Sequence, residues 1–209
     1  MTVMVSMLRR HGATIVERHG RLTAAHFGSA ASEAAVCRGR VGLAERSDRT
    51  TLEVRGRCEN VDAALAGLAP LGHRAAWTRL SPGRAIVRCE GDAEDACASA
   101  MVASDAISIS DSSGEFAAVA LIGPLAEDAL RAAAVDEQTD PVIVLHQGRG
   151  YVELLVARSY GPAMWNRLLE AGAPFGIACV GLDALEHLAV SDHLGDQRRP
   201  AARVAVGDS

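Results

Sequence analysis

The chain has 209 residues and a net charge of −5, and 49% of its residues are hydrophobic while 22% are charged. This balance is typical of a globular chain with one ordinary domain or two small ones, and it excludes wholesale disorder. The acidic balance and the 3% aromatic content argue against a nucleic-acid partner, because such sites favour a basic face and aromatic platforms. All 21 basic residues are arginines, so chemistry that needs a lysine amine is excluded.

The five cysteines are scattered along the chain without a C-x-x-C pair. This pattern favours free thiols over a zinc site or a disulfide framework, and it predicts a reducing, cytoplasmic location. No apolar run approaches the roughly 20 residues that cross a bilayer. The apolar run before Arg9 and Arg10 has the wrong charge order for a signal peptide. We therefore expect no membrane partner and no metal.

Taken in chain order, the predicted elements alternate between helices and strands. Helices are expected over residues 2–10, 29–39, 61–68, 92–102, 123–134, 162–171 and 183–189, with N-caps at Ser29 and Asn60. Strands are expected over residues 13–17, 21–25, 50–54, 75–80, 84–89, 106–109, 115–121, 142–146 and 151–157. Because the strands mostly come as hairpin pairs, the pattern predicts an α+β fold with antiparallel sheets and flanking helices. We expect one domain over residues 1–195 and a mobile tail over residues 196–209.

Three sequence blocks follow one another in a recognisable order. They are residues 26–28 with 41–48 (VGLAERSD) and 52–56 (LEVRG), then 107–111 with 118–124 (AVALIGP), then 150–156 (GYVELLV) with 164–165, 168–172 (LLEAG), 174–176 and 181–185. In this order they resemble the glycine-cleavage T-protein (aminomethyltransferase) family. The resemblance implies a T-protein-like folate-binding domain that lacks the family's C-terminal barrel, tetrahydrofolate as cofactor, and one-carbon (aminomethyl or methyl) transfer.

The resemblance also implies two cofactor-binding residues on the last predicted hairpin. Glu153 matches a glutamate that binds the pterin edge of folate, and a carboxylate suits this role because it accepts two parallel N–H donors. Tyr151, on the same strand, is implied at the wall of the folate channel. From the residues alone, Glu153 is equally well an exposed strand glutamate, and Tyr151 is more simply a core residue.

Two departures from the family pattern bear on catalysis. The family's acidic pair, one member of which activates the transfer, is replaced here by His73 and Arg74. His73 is therefore the candidate catalytic acid–base, and the alternative is an exposed loop residue. Both arginines of the family's last helix are also absent from residues 184–191.

These departures leave three functional hypotheses. The first is a folate-dependent aminomethyltransferase-type enzyme. The second is a non-catalytic T-protein-like subunit beside a partner oxidase subunit, similar to the gamma subunit of heterotetrameric sarcosine oxidase. The third is a recruited member of the family that acts on another small molecule, since fold alone does not fix function.

Overall fold

The computed structural model describes residues 3–101, 106–136, 140–148 and 150–196. The helices are α1 (Val3–Arg10), α2 (Ala30–Gly39), α3 (Cys58–Ala66), α4 (Glu94–Met101), α5 (Ala126–Ala132), α6 (Gly161–Gly172) and α7 (Leu182–Asp196). Short 3-10 helices cover Ala69–Arg74, Gly91–Ala93 and Ala173–Phe175. The strands are β1 (Thr14–Arg18), β2 (Arg21–His26), β3 (Val41–Glu45), β4 (Thr50–Gly56), β5 (Ala75–Ser81), β6 (Arg84–Cys89), β7 (Ile107–Asp111), β8 (Phe116–Ile122), β9 (Val142–His146), β10 (Tyr151–Ala157) and β11 (Ile177–Val180).

The strands form a two-stranded hairpin and two larger sheets. The five-stranded sheet has the order β11-β3-β8-β10-β9, and the four-stranded sheet has the order β5-β6-β4-β7. Every pair is antiparallel except β11 with β3, which run parallel. The chain crosses between the sheets at β3–β4 and at β7–β8, so the two sheets share one continuous fold.

Each sheet carries its own apolar core because its strands alternate their side chains between two faces. On the five-stranded sheet, Val152, Leu154 and Val156 of β10 pack with α1, α5 and α6 around the fully buried Trp165. On the four-stranded sheet, Leu52 and Val54 of β4 pack with α3 and α4. The opposite faces meet in a small cluster of side chains, formed by Ile86, Ala118, Leu145 and Leu155.

The predicted fold class is confirmed: the structure is α+β with mostly antiparallel sheets and flanking helices, and no barrel occurs in the described ranges. The Ser29 N-cap is also confirmed, since its side chain accepts a hydrogen bond from the Ser32 amide. The Asn60 cap is wrong, because α3 begins at Cys58, three residues before the predicted start, and its N-cap, Arg57, makes no side-chain capping bond. Residues 197–209 of the predicted tail lie outside the described residues, while Asp196 ends α7.

Three other departures concern the sheets. Residues 41–45, for which no strand is predicted, form the buried strand β3, and residues 177–180, also without a prediction, form β11. The serine-rich turn between β7 and β8 does not close a hairpin, because β7 pairs with β4 and β8 pairs with β3 and β10. In each case the missing information is a pairing with a strand far away in the sequence.

Candidate functional site

A cavity of about 1010 Å³ lies between the start of β5, the β9–β10 turn, the β3–β4 loop and α7. Its wall includes Trp77, which is 41% exposed, and Leu182, Leu185 and Leu188 of α7. Trp77 and Leu22 are the large hydrophobic residues that the described part of the chain leaves exposed. The residues that border the cavity therefore include an aromatic one and several aliphatic ones, as small-molecule sites commonly do.

The position of α7 on this wall is fixed by a buried carboxylate on another helix. Glu33 of α2 accepts the Phe27 amide at 2.8 Å through one oxygen and the Gly181 amide at 2.8 Å through the other. Gly181 directly precedes α7, so Glu33 ties the start of that helix to the β2–α2 connection. The fold thus uses one glutamate to hold the cavity wall against the rest of the domain.

The cavity floor is formed by charged residues from the β3–β4 loop. Arg46 donates two hydrogen bonds to Asp48, at 2.9 and 3.2 Å, and a third to the Tyr151 hydroxyl at 2.7 Å. Arg49, three residues further on, is 1% exposed and also lines the cavity. Both guanidinium groups lie next to Glu90, which follows β6. We call Arg46, Arg49 and Arg88 the arginine cluster.

Glu153 lies inside this cluster and is fully buried. Its Oε1 accepts Arg88 Nη2 at 2.7 Å and Nε at 3.0 Å, while its Oε2 accepts Arg49 Nη1 at 2.9 Å and Gln147 Nε2 at 2.8 Å. Burial by itself raises the pKa of this carboxyl, but the positive charges of Arg88 and Arg49 lower its pKa to about 2. Glu153 is therefore an ionised carboxylate with both oxygens occupied, and it is not part of the cavity lining.

Arg88 joins the two sheets through this contact. It lies on β6 of the four-stranded sheet, two residues after Ile86, and so shares the face that meets the five-stranded sheet. Its Nη1 donates to the Arg49 carbonyl at 2.9 Å and the Thr51 hydroxyl at 2.6 Å, and its Nη2 also donates to the Arg46 carbonyl. Each sheet therefore supplies one partner of a buried ion pair at their junction.

Tyr151 lies two residues before Glu153 on the same face of β10, at the edge of the cavity. Burial raises the pKa of its hydroxyl, and the neighbouring Arg46 and Arg49 act in the opposite direction. The hydroxyl accepts a hydrogen bond from Arg46, so it is already engaged within the cavity floor. The structure thus places two of the three predicted site residues, Tyr151 and Glu153, beside each other.

His73, the third predicted residue, lies in the 3-10 helix Ala69–Arg74. Its neighbours Gly72 and Arg74 both line the cavity, and Gly72 has a positive φ of 55° that breaks the helical turn. Arg74 forms an ion pair with Asp92 at 2.9 Å. The backbone segment that carries His73 therefore borders the same cavity as Tyr151.

A second buried carboxyl, Glu45, lies at the end of β3. It accepts the Thr23 hydroxyl at 3.2 Å and the Ser47 amide at 3.0 Å. Burial raises the pKa of Glu45 to about 7, because these neutral donors compensate only part of the lost hydration. Within the described ranges, no group of three His, Cys, Asp or Glu residues could hold a metal, and no helix could span a membrane.

Sequence reasoning missed the arginine cluster and Glu90. One signal was available: Arg88 stands in an apolar strand, where alternation with Ile86 puts a charged residue on a buried face. An inward-facing arginine needs a buried acidic partner. Arg46 and Arg49 gave no such signal, since both lie in a polar segment between two strands.

No protein-family model matches this sequence, and curated proteins show no significant match. Among solved structures, the chain is similar to the glycine cleavage system aminomethyltransferase T from Bartonella henselae. The TM-score is 0.67 and the sequence identity 17%, over 87% of this chain and 59% of that chain. This chain therefore spans 59% of the length of that aminomethyltransferase.

Two further similarities are weaker. A chain of heterotetrameric sarcosine oxidase from Corynebacterium sp. U-96 has a TM-score of 0.49 and 20% identity, over 71% of this chain and 93% of that chain. The regulatory subunit of aspartate kinase from Thermus thermophilus has a TM-score of 0.44 and 14% identity, over 62% of this chain and 97% of that chain. The resemblance to the T-protein family is thus supported by structure at the level of the fold.

Proposed function

We propose that this chain is a binding module with a T-protein-like fold, which takes a small organic molecule into its cavity and does not itself transfer an aminomethyl group. The observation that carries the proposal is the environment of Glu153. Its two oxygens are bonded to Arg49, Arg88 and Gln147, so no free carboxylate edge remains for the paired donors of a pterin. A pterin would have to displace two buried guanidinium groups to bind there.

The cavity itself supports the binding half of the proposal. Its volume of about 1010 Å³ is at the upper end of the range for sites that enclose small molecules. The leucines of α7 supply apolar surface, while Tyr151 and the arginines supply polar contacts. Tetrahydrofolate remains one candidate ligand for this cavity.

A second candidate is a folate-dependent transferase in which His73 acts as the acid–base and Glu153 and Tyr151 hold the cofactor. The observation that favours it is the position of Gly72 and Arg74, which flank His73 and line the cavity near Tyr151. In this candidate, ligand binding would rearrange Gln147 and Arg49 around Glu153 before any chemistry.

Tryptophan fluorescence tests these functions, because the chain has two tryptophans and only Trp77 is near the cavity. Trp165 is fully buried in the other core. Tetrahydrofolate and methylenetetrahydrofolate are titrated into wild-type protein, Trp77→Phe and His73→Ala. The binding module predicts quenching by a bound ligand that disappears in Trp77→Phe and is unchanged in His73→Ala, without consumption of methylenetetrahydrofolate.

With ammonia and a thiol acceptor added to receive the one-carbon group, turnover of methylenetetrahydrofolate that stops in His73→Ala would overturn the binding module in favour of the transferase. A binding module that performs no chemistry needs another chain that does. We therefore propose that the partner oxidase subunit expected from the sequence binds this module. Affinity purification of the tagged chain at its native level tests this partner. A flavin-containing subunit in equal amount is the expected result, and a chain that purifies alone would contradict it.

A further inference from the structure

Glu90 is the least firmly held carboxylate of the cavity floor. Its oxygens lie 3.3 and 3.4 Å from Arg46 Nη2 and 3.3 Å from Arg49 Nε, longer than the contacts of Asp48 and Glu153 to the same arginines. Its side chain is 32% exposed, against 9% for Asp48 and none for Glu153. Glu90 is therefore more open to solvent in the cavity than Asp48, and Glu153 has no exposed surface.

Arg49 has an unused donor at this point. Its Nε is buried and makes no hydrogen bond among the described residues, although Glu90 Oε1 is 3.3 Å away. A buried guanidinium N–H without an acceptor is costly, since charged groups lose most when a hydrogen bond is left unmade. An oxygen that approached Nε in better alignment than Glu90 would relieve this cost.

The charges of the cavity floor indicate that the oxygen that bonds to Arg49 Nε would belong to a carboxylate. The arginine cluster carries three positive charges, and Asp48, Glu153 and Glu90 balance them one for one. If the side chain of Glu90 turns into solvent, one positive charge remains, shared between Arg46 and Arg49. That charge fits a single carboxylate, which guanidinium groups bind through paired charge-assisted hydrogen bonds.

Only the side chain of Glu90 has to move. Its amide donates to the Arg74 carbonyl at 3.0 Å, and its carbonyl accepts the Ala93 amide at 2.8 Å, so the backbone is anchored on both sides. The exchange of one carboxylate for another thus leaves the sheets and the buried Glu153 contacts unchanged.

We propose that Arg46 and Arg49 form a carboxylate-binding subsite, in which Glu90 is an internal occupant that a ligand's carboxylate displaces. This inference rests on the proposed binding function and names the ligand class: an organic acid with an apolar or aromatic body. The body would lie along the leucines of α7, which line the same cavity. Tyr151, already bonded to Arg46, borders the subsite and keeps that guanidinium oriented.

The experiment compares benzoate with benzamide, which has nearly the same shape and no charge. Dissociation constants are measured by calorimetry for wild-type protein, Glu90→Gln and Glu186→Gln. Glu186 also lines the cavity but pairs with Arg18, so its variant controls for the loss of any negative charge there. Glu90→Gln is expected to bind benzoate about five-fold more tightly than wild type, equivalent to about 1 kcal/mol, with benzamide binding unchanged.

Glu186→Gln should change benzoate binding by less than about two-fold, because exposed charges are screened. Equal affinity for benzoate and benzamide, or unchanged benzoate binding in Glu90→Gln, would overturn the subsite while leaving a small-molecule site in place. Absence of binding by both probes to all three proteins would also overturn the subsite. The proposed function fails separately, when tetrahydrofolate and both probes leave Trp77 fluorescence unchanged.

Discussion

Replacement of Glu153 by glutamine is the most direct perturbation of the junction between the two sheets. Glutamine keeps the size of the side chain but leaves Arg49 and Arg88 buried beside a neutral amide. The pKa of Glu153 falls from 4.5 to about 2 in the folded protein. At about 1.4 kcal/mol for each pKa unit, this difference corresponds to about 3 kcal/mol of stabilisation of the ionised form. Breaking a buried ion pair costs about 3–5 kcal/mol. The pKa shift and the broken ion pair therefore predict a similar loss of folding stability in Glu153→Gln.

Urea unfolding at neutral pH measures this loss as a lower free energy of unfolding. The pH dependence of the free energy of unfolding gives a second readout, because the pKa of Glu153 is lower in the folded protein than in the unfolded chain. The contribution of Glu153 is fully present above its unfolded value of 4.5 and is lost as the pH falls through about 2. The wild-type free energy of unfolding should therefore decline across this acidic window, and Glu153→Gln should lack that part of the decline.

A matched control removes an exposed ion pair instead. Glu59 lies 2.9 Å from Arg57, with both side chains more than half exposed. Glu59→Gln should cost less than about 0.5 kcal/mol, since exposed pairs contribute little. A loss below about 1 kcal/mol in Glu153→Gln, or a loss equal to that of Glu59→Gln, would refute the conclusion that Glu153 neutralises the arginine cluster.

Four other substitutions have defined outcomes in the same unfolding assay. Burial raises the pKa of Glu45 from 4.5 to about 7, so the wild-type free energy of unfolding should fall with rising pH between these values. Glu45→Gln should remove this slope and be about 1–3 kcal/mol more stable than wild type at pH ~8. Gly181→Ala should lower the free energy of unfolding by about 1–3 kcal/mol, because the new Cβ would overlap the Ala25 carbonyl. Gly28→Ala is the control: its Cβ would have no atom within 4 Å, so the free energy of unfolding should change little. Ser29→Ala removes the N-cap of α2 and should cost about 1 kcal/mol; an unchanged value would mean that water replaces the cap.

The features that sequence predicted well are those fixed by neighbouring residues. The hairpins β1–β2, β5–β6 and β9–β10 are closed by short connections rich in turn-forming residues, and Ser29 caps the helix that directly follows it. Such signals act within a few positions of the chain, so they survive whatever the rest of the fold does. The α+β class follows from the same local signals.

The features that sequence missed depend on pairing between distant segments. Strand β11 has only four residues and exists because Ile177 pairs in parallel with Val41, far away in the chain. The charged floor likewise needs Arg88 from one sheet, Glu153 from the other and two arginines from a loop. The resemblance predicts Glu153 as a cofactor-binding residue, but its partners depend on how the sheets meet, which no local pattern encodes.

The stability of the fold does not require the arginine cluster. Replacing a buried ion pair by apolar residues is often neutral or even stabilising, so a core of alanine, valine and leucine has no energetic need for three buried arginines. The position of the arginines indicates a second role. Glu153 forms ion pairs with Arg49 and Arg88 in the protein interior, while Glu90 forms ion pairs with Arg46 and Arg49 at the cavity surface. Glu153→Gln should therefore reduce stability, and Glu90→Gln should chiefly change ligand affinity. If both variants altered only stability, the cluster would be a structural junction and the cavity would need another recognition group.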